Sequence, residues 1–214
     1  MAYRSSSNQA YTSGTSIAPA VPAGAAANDI AIACLYLEAA GTVTPPSGWN
    51  ATAKHDSGVV NNARLTIWWK RLTGADSGTY SFTTPNTGHA CSVYLFSGRI
   101  ATGDPFDLTS NGSALGTTVT CAALSPAASG DDLFACAASF AGGTWTPPTS
   151  MTERVDSDTN GNTQDNIGAG STGTKTLTCT GSGGIVGFLG ALLPDTGGGS
   201  PIPPFLVMQT RRAY

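Results

Sequence analysis

Charge is what this sequence lacks most: lysine, arginine, aspartate and glutamate make up 11% of its 214 residues, against about 25% in an ordinary globular domain. Glutamate is nearly missing, with only Glu38 and Glu153, so the carboxylate pair of a glycosidase would have to come from aspartates placed in turns. Histidine is confined to His55 and His89. A Ser/His/Asp arrangement is spatial and needs no motif, but no GxSxG elbow supports one. The formal charge of −3 excludes the basic footprint of a nucleic-acid binder; Lys70-Arg71 and Arg211-Arg212 are isolated groups, not a stripe. No apolar run reaches the roughly 18 residues of a membrane span. Met1–Thr15 is polar, with Arg4 but no apolar stretch behind it, so no secretory signal is expected. The five cysteines, Cys34, Cys91, Cys121, Cys136 and Cys179, are odd in number and form no CxxC. Buried free thiols are therefore expected in place of zinc or a disulfide framework, with synthesis in a reducing compartment.

What fills the space is glycine and hydroxyl residues, arranged in an order that recurs. Asn28-Asp29-Ile30-Ala31-Ile32 is echoed by Asp131-Asp132-Leu133-Phe134-Ala135, and Thr44-Pro45-Pro46-Ser47 by Thr146-Pro147-Pro148-Thr149. Gly78-Thr79-Tyr80-Ser81-Phe82-Thr83 returns as Gly173-Thr174-Lys175-Thr176-Leu177-Thr178, and Cys91–Phe96 as Gly184–Leu189. Four blocks in one order predict an internal duplication of an all-β unit.

Short β-rich runs separated by turn signals, with no strong helical period, predict a two-sheet β-sandwich. The expected layout is an N-terminal arm (1–16), a sandwich over 17–193 made of two repeats (17–100 and 117–193), and a Gly/Pro-rich C-terminal arm (194–214). Strands are expected at Ile30–Leu37, Asn50–Asp56, Leu65–Arg71, Thr79–Thr84 and Cys91–Phe96 in the first repeat. The second should carry them at Thr118–Ala122, Leu133–Phe140, Met151–Val155, Lys175–Thr180 and Ile185–Leu192. Ala101–Leu115 reads as a linker. One jelly-roll-like sandwich built from both copies is the preferred architecture; two tandem sandwiches are the alternative. Leu65, Trp68, Trp69 and Leu72 also fit a helical spacing, but Thr66-Ile67-Trp68-Trp69 favours a strand. Alternation then points Leu65, Ile67 and Trp69 one way and Trp68 the other. Tyr80, Phe82, Leu177 and Cys179 alternate in matched strands and should share one buried layer.

Val21-Pro22-Ala23-Gly24, Asn28-Asp29-Ile30, Pro45-Pro46-Ser47-Gly48-Trp49, Trp68-Trp69-Lys70-Arg71 and Gly78-Thr79-Tyr80-Ser81-Phe82 resemble a β-sandwich domain of tailed-bacteriophage structural proteins. The resemblance covers most of 17–193, closely in the first copy and loosely in the second. It implies a virion protein, capsid-decorating or tail-associated, and brings no catalytic residue or cofactor.

Gly168-Ala169-Gly170-Ser171-Thr172-Gly173 spells GxGxxG, but a polar loop precedes it and a Thr-rich strand follows, so it reads as a loop. Asp156, Asp158 and Asn160 alternate as calcium ligands do, yet position twelve would be Ile167 where a glutamate is wanted; a hairpin tip is the simpler reading. Trp49 and Trp68 could stack sugars on a sandwich face, or belong to the core. In the C-terminal arm, Pro203, Phe205, Leu206, Met208, Arg211, Arg212 and Tyr214 form an apolar and basic segment behind a Gly-rich spacer. It is suited to docking on a neighbour, or to folding back as a last strand. Tyr3 and Tyr11 are the large groups of the N-terminal arm and complete the expected partner-binding set.

The expected function is that of a non-enzymatic virion structural protein, made in the host cytoplasm, packed against other virion proteins and against copies of itself in a cyclic homo-oligomer such as a trimer. A capsid-decorating role is favoured over a minor tail role. The alternative is a carbohydrate-binding module for host adsorption. No cofactor, nucleic acid or membrane is expected as a partner.

Overall fold

Residues 30–37 and 133–138 are apolar on both alternating faces, the pattern of strands covered on both sides, and they form the strand Ile30–Leu37 and most of the strand Asp131–Ser139. Each becomes the middle strand of its own sheet, buried along its whole length. The computed structural model describes residues 3–127 and 129–195, and these are all-β. The first half supplies β1 (Tyr3–Ile17), β2 (Ile30–Leu37), β3 (His55–Asp56), β4 (Arg64–Arg71) and β5 (Phe82–Phe96). The second supplies β6 (Phe106–Cys121), β7 (Asp131–Ser139), β8 (Trp145–Thr146), β9 (Thr152–Asp156), β10 (Thr159–Ile167) and β11 (Lys175–Leu192).

Each half makes one antiparallel sheet. The orders are β1-β5-β2-β4-β3 and β6-β11-β7-β10-β9, with β8 added to β11. Place for place the two orders are the same. The sandwich is therefore single, but it is not a jelly roll, in which successive strands alternate between sheets; here the chain changes sheet once, across 97–105.

Three apolar layers follow from this. The central one lies between the sheets and joins Ile32, Cys34, Tyr94 and Phe96 of the first to Phe134, Cys136, Val186 and Phe188 of the second. The Phe134 ring centroid sits 4.9 Å from Tyr94 and 5.6 Å from Phe96. Tyr94 reaches so far across that a Cβ added at Gly161 of β10 would meet its hydroxyl oxygen at 2.2 Å. Each sheet also buries its outer face under its own loops. Trp49, Trp68, Tyr80 and Phe82 fill the outer layer of the first half, and Trp145, Met151, Leu177 and Cys179 that of the second. Tyr80 and Phe82 thus share a layer with each other but not with Leu177 and Cys179, contrary to the expectation, because each half closes its own outer core.

The long strands bend to build these layers. β1 turns at Gly14 (φ 145°) and β6 at Gly116 (φ 133°), backbone that side chains other than glycine rarely adopt. Beyond the bends Ile17 enters one outer core and Val119 and Cys121 the other.

The structure corrects three readings. Residues 3–17, expected as an arm, are strand β1, paired from Tyr3↔Phe96 to Ile17↔Phe82. Most of the linker Ala101–Leu115 belongs to β6, paired from Leu192↔Phe106 onward. The sequence alignment of Ile30 with Leu133 is one residue out of phase: Ile30 faces the central core and Leu133 the outer one. Setting Cys34 against Cys136 restores the facing, since a one-residue slip turns every side chain to the other side. β4 is a strand, with Leu65, Ile67 and Trp69 toward the central layer and Trp68 beneath loops.

Candidate interaction surface

β1 and β6 occupy the same place in their sheets, each at the edge and each paired on one side only. Their free sides differ. On β1, the Ser5 and Ser7 hydroxyls donate to the Ala23 and Ala20 carbonyls at 2.6 and 2.5 Å, and Gln9 Oε1 accepts from Ala18 N at 2.8 Å. Tyr11 N donates to Asp158 Oδ2 at 2.9 Å. That edge is clothed by its own loop and by a hairpin from the other half.

β6 has less cover: Ser110 Oγ donates to the Ala122 carbonyl at 2.7 Å, and Gly112 lies against the Thr120 backbone. Along Phe106–Cys121 the only charged residue is Asp107, and Leu115 is 73% and Leu108 37% exposed. Leu115 faces Gly184 across the ladder, so it has no cross-strand side chain to pack on. An edge strand with one charge, no proline and little cover is a template for another chain.

The expected partner-binding tyrosines have contacts inside the protein. The Tyr3 ring meets Phe96 edge-on at 6.2 Å and lies under the Arg154 guanidinium at 4.3 Å. Tyr11 is 48% exposed, and its hydroxyl donates to Glu38 Oε1 at 2.9 Å, a bond that raises its pKa. Pro203, Phe205, Leu206, Met208, Arg211, Arg212 and Tyr214 lie outside the described residues.

Trp49 and Trp68 do not form a stacking platform. They are 6% and 5% exposed. Trp49 packs edge-on against Tyr80 and Phe82 at 4.9 and 5.2 Å, and Trp68 Nε1 donates to Thr66 Oγ1 at 3.1 Å. Loops over the outer face of the first sheet cover both rings, and nothing in the local sequence announces that cover.

Asp156, Asp158 and Asn160 do not converge on one point. Asp156 Oδ1 accepts from Trp145 N at 3.0 Å, Asp158 is committed to Tyr11, and buried Asn160 donates to Glu153 Oε1 at 2.7 Å and the Val155 carbonyl at 2.9 Å. They shape the β9–β10 hairpin and tie it to β1. The GxGxxG stretch is the loop between β10 and β11, followed by strand as expected.

The histidines are packing groups. His55 lies on the Phe188 ring at 5.6 Å, and its neighbour Asp56 is engaged by Arg64 at 2.9 and 2.6 Å. His89 Nδ1 is 3.2 Å from Thr84 Oγ1. Burial lowers the pKa of both rings. All five cysteines are buried and free; Cys34 and Cys136 meet between the sheets at 3.0 Å.

Where the halves meet at one end, a cleft of about 530 Å³ is lined by Arg4, Arg99, Asp132, Asp165 and Asp195. Its arginines are answered within the fold: Arg4 by Asp29 at 2.9 Å and Arg99 by Asp132 at 3.1 Å. Beside this pair Asp131 is pushed up to about 6, first by burial and then by the Asp107 carboxylate.

Sequence reasoning missed β10 and, apart from the expected strand Thr118–Ala122, β6. The one signal of β6 was the hydroxyl-rich stretch around Leu108 and Leu115, which lacks an apolar alternation because its half-buried face carries the small residues Ser110, Gly112, Ala114 and Gly116. No protein-family model, curated protein or solved structure matches the chain.

Proposed function

We propose that this chain is a non-enzymatic structural protein of a tailed-bacteriophage virion, attached to the capsid as a decorating protein and acting through contacts with other virion proteins and copies of itself. The observation that carries the reading is the β6 edge: sixteen residues with a single charge and two exposed leucines, longer than the edge strands β3 and β9 at the far side of each sheet. The motif resemblance supplies the virion context. A low-charge, hydroxyl-rich surface also repels copies of itself weakly and suits close packing. Duplication of one five-stranded unit accounts for the matched strand orders, and the halves then diverged at their edges: β1 became covered, β6 stayed open.

In this reading β6 pairs with a neighbouring chain by strand addition, backbone bonds giving affinity and Leu108 and Leu115 the apolar anchor. The segment Pro201–Tyr214 docks as a second attachment. Two experiments test the proposal. Antibody-labelled virions imaged by electron microscopy should carry the protein on the capsid; label on the tail or none on the particle refutes the location. In sedimentation velocity the chain should self-associate, and Leu115→Lys should shift it to monomer without changing its melting temperature. A wild-type chain that stays monomeric at high concentration refutes the role of β6 in joining copies.

A further inference from the structure

The two halves differ at one place in a way that specifies a ligand. In the first sheet Ala31 pairs with Lys70; in the second Leu133 pairs with Gln164, so Lys70 and Gln164 hold the same position. The same number of residues then separates Leu72 from Tyr80 and Ile167 from Lys175. Both connections pass through a left-handed glycine, Gly78 (φ 76°) and Gly173 (φ 65°). The two loops therefore have the same length and reach the same glycine, although the left-handed Gly74 and Gly170 inside them stand one place apart.

The first loop delivers Asp76. Its carboxylate pairs with the Lys70 ammonium and accepts from Thr73 N and the Tyr80 hydroxyl at 3.3 Å each, with a side chain only 5% exposed. A buried carboxylate meets a largely covered cation. The second loop keeps a buried cation, because Lys175 stands where the first half has Tyr80, but Ser171 stands where it has Asp76. Lys175 is 7% exposed. Among the described residues its ammonium reaches two neutral oxygens, the Thr149 carbonyl at 3.5 Å and Gln164 Oε1 at 3.4 Å. None of the five ion pairs among the described residues includes it. A buried ammonium without a counter-charge is costly, and burial lowers its pKa. Beside it opens a pocket of about 280 Å³ lined by Ser150, Gln164, Ser171, Thr172 and Lys175.

We propose that this pocket binds a small hydroxylated carboxylate of the sugar-acid class, whose carboxylate takes against Lys175 the place that Asp76 takes against Lys70. The Ser171 hydroxyl accepts one long bond from Gly173 N at 3.3 Å, which leaves its proton to donate to the ligand. The Ser150 hydroxyl and the Gln164 amide line the same space and match a ring's hydroxyl groups. The site does not depend on the virion reading: Lys175 pairs with Cys121 at the last residue of β6, beyond the exposed Leu108 and Leu115 on which that reading rests.

The test is an NMR titration of the full chain with sodium glucuronate, sodium acetate and glucose. Glucuronate should shift the amide signals of Ser171, Thr172 and Lys175 and saturate in roughly the millimolar range, at least tenfold below acetate, while glucose shifts nothing. Lys175→Met should weaken binding at least tenfold. Ser171→Asp writes the first half's internal acid into the second; it should abolish binding and raise the melting temperature. Absence of a saturable shift up to about 50 mM glucuronate overturns the proposal, as does unchanged binding in a folded Ser171→Asp chain. Equal affinity for acetate and glucuronate overturns the sugar-acid assignment.

Discussion

Phe134→Ala tests whether the two sheets share one core. Phe134 belongs to the second sheet, is fully buried, and stands against Tyr94 and Phe96 of the first at 4.9 and 5.6 Å. Truncating a buried phenylalanine costs about 3–5 kcal/mol. Here the loss belongs at the upper end, about 4–5 kcal/mol, because two tilted or edge-on ring pairs go with the side chain, each contributing about 0.5–1.5 kcal/mol beyond area. In a chain of this size about 1 kcal/mol moves the melting temperature by 2–4 °C, so a fall on the order of 10 °C or more is expected. The distinctive expectation is the shape of the transition. Since Phe134 touches the other half, differential scanning calorimetry should show one transition before and after the change, displaced as a whole. Urea unfolding followed by tryptophan fluorescence should agree, because Trp49, Trp68 and Trp69 report the first half and Trp145 the second. Two transitions of which only one moves, or a melting temperature within a degree or two of the parent, would show that the halves do not fold around a common layer.

Gly161→Ala should destabilise by about 1–3 kcal/mol through overpacking, since the new methyl would fall 2.2 Å from the Tyr94 hydroxyl; adding Tyr94→Phe should recover part of the loss in the same melt. Asp131 has its pKa raised from 3.8 to about 6, so between those values the folded chain holds a proton that the unfolded chain has released. Stability therefore falls as pH rises from about 4 to about 6, and Asp131→Asn should flatten that slope in melts across the range. The five thiols are buried, with Cys121 pushed up to about 12 by burial. A thiol-specific chromophoric reagent should label them at the rate of unfolding in the native chain and at once in denaturant; fast native labelling would contradict the packing.

The sequence by itself determined the class of the fold and the strands that are buried on both sides. Ile30–Leu37 and the expected strand Leu133–Phe140, which is β7 over Asp131–Ser139, are legible because their continuous apolar stretches leave a strand no other place. The free cysteines, the division of Trp68 and Trp69 between two faces, and the loop at Gly168–Gly173 were legible for the same local reasons. The candidate site was not. β1 is read as an arm, and β6 up to Leu115 as a linker, because their sequences carry hydroxyls on both faces. Only the pairing partner, β5 or β11, makes them strands, and backbone ladders leave no mark in side-chain pattern. The tertiary structure also decided the fate of Trp49 and Trp68, which could have been a sugar platform until loops distant in sequence closed over them. It decided the phase of the repeat, since facing is a property of the packed sheet and block similarity tolerates a one-residue slip. And it set Ser171 against Asp76: two loops of equal length, one with an acid for its buried cation and one with space, become comparable only when each is seen closing the same side of its own sheet.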